Sequence, residues 1–76
     1  MVKLLTPSLT ANYMASAQRG NPDAHFVLGG YHLYGYAGLK ASPAQALAFY
    51  QLAARAGHAQ AASDAAVLGE LGVEPA

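Results

Sequence analysis

Apolar residues recur along this chain at helical intervals. Leu9, Tyr13 and Ala17 are spaced four apart, which places them on one helix face. Ala24, Val27, Leu28 and Tyr31 follow the i, i+3, i+4, i+7 pattern, and Leu47, Tyr50 and Ala54 do likewise beside Ala46 and Ala53. Ala61, Ala65 and Leu68, with Leu71, form a thinner inner face, so the fourth helix should be the most weakly held. Thr6-Pro7, Asn21-Pro22 and Ser42-Pro43 each read as a helix start. The oxygen-bearing side chain accepts from an orphan N–H of the first turn, and proline presets the first helical φ. Gly20, Gly57 and Gly72 suit the left-handed residue past a helix end. The pattern predicts helices over Pro7 to Arg19, Pro22 to Leu33, Pro43 to Ala56 and Ala59 to Leu71. A glycine-rich connection, Tyr34 to Ala41, joins the second to the third.

The chain also repeats itself. A shift of 37 residues brings Ala11, Tyr13, Ala17, Gly20 and Ala24 onto Ala48, Tyr50, Ala54, Gly57 and Ala61. Alanine matches carry little weight in a chain where about a quarter of positions are alanine, but the tyrosine and glycine pairs at equal spacing are informative. Such a period is typical of stacked helical hairpins, in which each unit needs a neighbour to cover its apolar face.

These residues resemble the Sel-one-like repeat, a relative of the tetratricopeptide repeat. Ala24, Leu28-Gly29, Gly35, Gly38-Leu39, Ala46-Leu47, Tyr50, Ala53-Ala54 and Gly57 occupy the places of that pattern, and Ala61 begins the next unit. Phe49 stands where the family usually has tryptophan, and His32 where it usually has tyrosine. The likeness is good from Ala24 to Ala61, fair from Ser8 to Gly20, and poor at Ala65-Ala66, where Leu-Gly is expected. It implies an all-α fold of about four helices in antiparallel hairpins, a short right-handed superhelix serving as a protein-interaction scaffold. As one domain, 1–76, the chain reads as a partial repeat over 7–20, a full repeat over 21–57 and a partial repeat over 58–72. Solenoids need about three repeats for a continuous core, so an open end should be covered by a second copy or by a partner.

Composition narrows the function. Formal net charge is zero, and Lys3, Arg19, Lys40 and Arg55 are scattered. A nucleic-acid surface needs clustered cations, so that class is disfavoured. There is no cysteine and no run of 18 apolar residues, which removes thiol chemistry and a membrane-spanning helix. A soluble, cytoplasmic protein is expected.

Catalytic candidates are weak. No serine sits in a Gly-x-Ser-x-Gly elbow, and Asp64 and Glu70 make no convincing acid–base pair. His25 and His32 share a helix face but lie about 10 Å apart, too far for one ion. His25 is expected to be exposed, and His58 to help begin the fourth helix. Gly29 should permit close approach of a facing helix. The expected function is a non-catalytic interaction module, an adaptor, regulator or inhibitor, without cofactor or metal. The alternatives are a self-assembling helical unit and, more distantly, a small metal protein. Tyr34 and Tyr36, which flank Gly35 on the connection, are the candidate partner-binding residues together with His32. Tyrosine combines contact area with a polar tip.

Overall fold

The computed structural model describes the backbone from residue 5 to residue 76 and side chains from residue 12 onward. It contains four helices: α1 (Leu5–Gln18), α2 (Pro22–Tyr34), α3 (Pro43–Arg55) and α4 (Ala59–Glu70). There is no strand among the described residues. The chain is all-α.

Two of the three anticipated proline starts hold. Asn21 Oδ1 accepts from the Asp23 N–H at 2.9 Å and Ser42 Oγ from the Gln45 N–H at 3.2 Å, with proline next in each case. The third differs, because Leu5 and Thr6, ahead of Pro7, are already helical. The expected role of Leu9 lies outside the described side chains.

The helices pack in chain order, α1 on α2, α2 on α3 and α3 on α4, and the molecule measures 42 × 23 × 17 Å. Ala17, Ala24 and Leu28 form one buried cluster, against which Tyr13 and Phe49 pack. Ala46, Leu47, Tyr50, Ala53, Ala61 and Leu68 form a second, flanked by Phe26, Leu33, Ala65 and Val73. The expected α3 face is largely the buried one. Leu71, expected on the inner face of α4, is instead 73% exposed. It lies one residue past the helix, and Val73 reaches the core in its place, its N–H donating to the Leu68 carbonyl at 3.1 Å.

The 37-residue register extends to the backbone. Gln18 and Arg55 end helices, and Pro22 and Ala59 begin them. Gly20 N–H donates to the Ala17 carbonyl and Asn21 N–H to that of Ser16. Gly57 and His58 repeat both bonds with Ala54 and Ala53. These paired bonds around a left-handed glycine (φ 85° and 96°) satisfy the orphan carbonyls of each helix end. The register continues beyond the residues that revealed it. Tyr36 N–H donates to the Tyr31 carbonyl past Gly35, and Val73 N–H to the Leu68 carbonyl past Gly72.

Candidate binding surface

Gly35, with φ 75°, closes α2 and turns the chain sharply enough to place Tyr34 and Tyr36 side by side. A Cβ at Gly35 would lie 3.1 Å from the Leu39 carbonyl oxygen, so the turn is close-packed as well as left-handed. The two rings meet at 5.6 Å between centroids while remaining 65% and 58% exposed. Tyr36 also stands edge-on to Tyr31 at 6.1 Å, and Tyr31 edge-on to Tyr13 at 5.9 Å. The exposed pair is thus the outer end of an aromatic file anchored on half-buried rings of α1 and α2. Edge-to-face contacts of this kind fix the relative orientation of the rings.

His32 is not part of that file. Its ring stacks on Phe49 at 5.1 Å with planes 10° apart. His25 approaches Phe49 at 6.1 Å, so the three rings mark the α2–α3 contact. His25 is half-buried rather than exposed, because α2 lies between α1 and α3, and its Nδ1 is buried without a hydrogen-bond partner. A pocket of about 210 Å³ opens beside it, lined by Met14, Ala17, Gln18, His25, Leu28 and Phe49.

His58 does begin α4. Its Nδ1 accepts from the Ala61 N–H at 3.1 Å, which places the ring proton on Nε2, 3.4 Å from Asp23 Oδ1. The ring stacks on Phe26 at 4.5 Å, tying the start of α4 to that of α2. Among the described residues, no three of His, Asp and Glu gather as a metal-ligand set.

A second pocket, of about 180 Å³, lies among Leu33, Tyr34, Tyr50, Asp64, Val67 and Leu68. Tyr50 is 3% exposed. Burial pushes its hydroxyl above the usual tyrosine value, and the charges of Asp64 and then Tyr34 add to the effect. Sequence reading did not single out Asp64 as a pocket residue. The signal available was its place among the alanines of α4, where a carboxylate has few reasons to be half-buried.

No family model, no curated protein and no solved structure matches this chain. No helix among the described residues is long and apolar enough to cross a membrane.

Proposed function

We propose that this chain is a non-catalytic protein–protein interaction module of Sel-one-like repeat type, a small cytoplasmic adaptor, regulator or inhibitor. The observation that carries the reading is the exposed Tyr34–Tyr36 pair, held on a left-handed turn and backed by Tyr31. Large aromatic rings already fixed in place lose little conformational freedom when a partner covers them. The 37-residue recurrence of helix bounds and turn hydrogen bonds supports the antiparallel hairpin array that the family resemblance implies.

Self-assembly is the second reading, favoured by the exposed residues of α4 and the turn after it. There Ala62, Ser63, Ala66 and Gly69 are exposed, as is Leu71 just past the helix. Two measurements separate the proposals. Replacing Tyr34 and Tyr36 together by alanine should weaken affinity for a captured partner about tenfold or more, with little change in melting temperature. Intact binding with lost stability would remove the interaction surface from consideration. Sedimentation over a wide concentration range should show a species of constant size, whereas steady growth would favour self-assembly.

A further inference from the structure

We infer that the pocket lined by Leu33, Tyr34, Tyr50, Asp64, Val67 and Leu68 receives a basic side chain, a lysine or arginine of a partner protein. The inference deepens the interaction-module reading and rests on it. Three features of the pocket carry the argument.

The first is charge. Asp64 is half-buried on α4, and among the described residues its Oδ1 accepts only from the neutral Gln60 amide, at 3.1 Å. Among the described residues, no lysine, arginine or histidine lies within ion-pair distance of it. Its field reaches the Tyr50 hydroxyl, whose upward shift it reinforces after burial. The second is the aromatic wall, since Tyr34 leaves most of its surface to solvent beside Tyr36. A ring face of this kind attracts a cation. The third is the apolar lining of Leu33, Val67 and Leu68, suited to the methylene stem that both basic side chains bring.

Other occupants fit less well. An anion would be repelled by Asp64. A wholly apolar group would strip water from the carboxylate and leave it unpaired, which is costly. A cation on an aliphatic stem satisfies all three features, and the neighbouring tyrosine pair offers contact surface for the chain that carries it.

The test is an NMR titration of the full chain with capped pentapeptides of alanine and serine bearing one central lysine, arginine, norleucine or glutamate. Saturable shifts at Tyr34, Asp64, Val67 and Leu68 are expected with the two basic peptides alone. Asp64→Asn should weaken them about tenfold, while Glu74→Gln on the exposed tail should leave them unchanged. Equal response to norleucine, absence of saturable shifts, or indifference to Asp64→Asn would overturn the inference. The lysine-against-norleucine comparison uses the unaltered chain, so it decides the matter even if a variant fails to fold. If the basic peptides ignore the pocket while Tyr34→Ala/Tyr36→Ala still weakens a partner, only this inference fails. If they fill it while Tyr36→Ala, outside the pocket, keeps its partner, only the tyrosine surface fails.

Discussion

A methyl group on Gly29 would lie 2.6 and 2.7 Å from two carbons of the Tyr50 ring, whereas one on Gly30 would meet only the Tyr50 hydroxyl, at 3.8 Å. The two glycines are adjacent in one helix, yet they should respond to alanine in opposite directions. At Gly29 the overpacking penalty of roughly 1–3 kcal/mol exceeds the helix-propensity gain of about 1 kcal/mol. Gly29→Ala should therefore destabilise, by up to about 2 kcal/mol. Gly30→Ala should stabilise by up to about 1 kcal/mol, and denaturant unfolding of both variants checks the sign. The close approach was legible at Gly29, because a glycine inside a helix calls for a packing reason. Tyr50 carries a second residue-level consequence. Its folded-state pKa is raised, so its contribution to stability is complete below the ordinary tyrosine value of 10.0. That contribution is lost as pH rises through the folded value. Melting temperature should fall above about pH 10, and Tyr50→Phe should flatten that part of the profile.

At the scale of elements, α2 explains what the sequence pattern missed. Its apolar residues run nearly all the way round, and a helix of that kind is enclosed on more than one side. The periodic set Ala24, Val27, Leu28 and Tyr31 captures one face. Phe26, Gly29, His32 and Leu33 make the other, against α3 and its cluster. Phe26 and Leu33 on the second face fall outside that periodic set, and only Phe49 arriving from α3 gives His32 a packing role. The N-terminal ends of α2 and α4 are coupled by His58, which caps one helix and stacks on Phe26 of the other. His58→Ala should cost about 1–3 kcal/mol, cap and ring together. His58→Asn should recover the cap portion alone. Thermal unfolding of the pair measures the division.

For the whole molecule, helix number and three of the four starts follow from Asn21-Pro22, Ser42-Pro43 and His58. The candidate surface was legible in part. Tyr34 and Tyr36 announced themselves as aromatics on a loop, whereas the placement of Asp64 beside Tyr50 depends on how α4 meets α3. The recurrence of the Gly20 and Gly57 turns, bond for bond, means that the segment from Asn21 to Gly57 begins and ends at equivalent joints. It can therefore be treated as an exchangeable cassette. Splicing a duplicate of it after Gly57 should give a longer helical chain that unfolds in one transition, at a temperature no lower than the original. Small-angle scattering should show growth along one axis. Two separate transitions, or an aggregated product, would show that the joints match in geometry without being interchangeable. If the joints are interchangeable, lengthening by whole units is open to this fold without redesign of any junction.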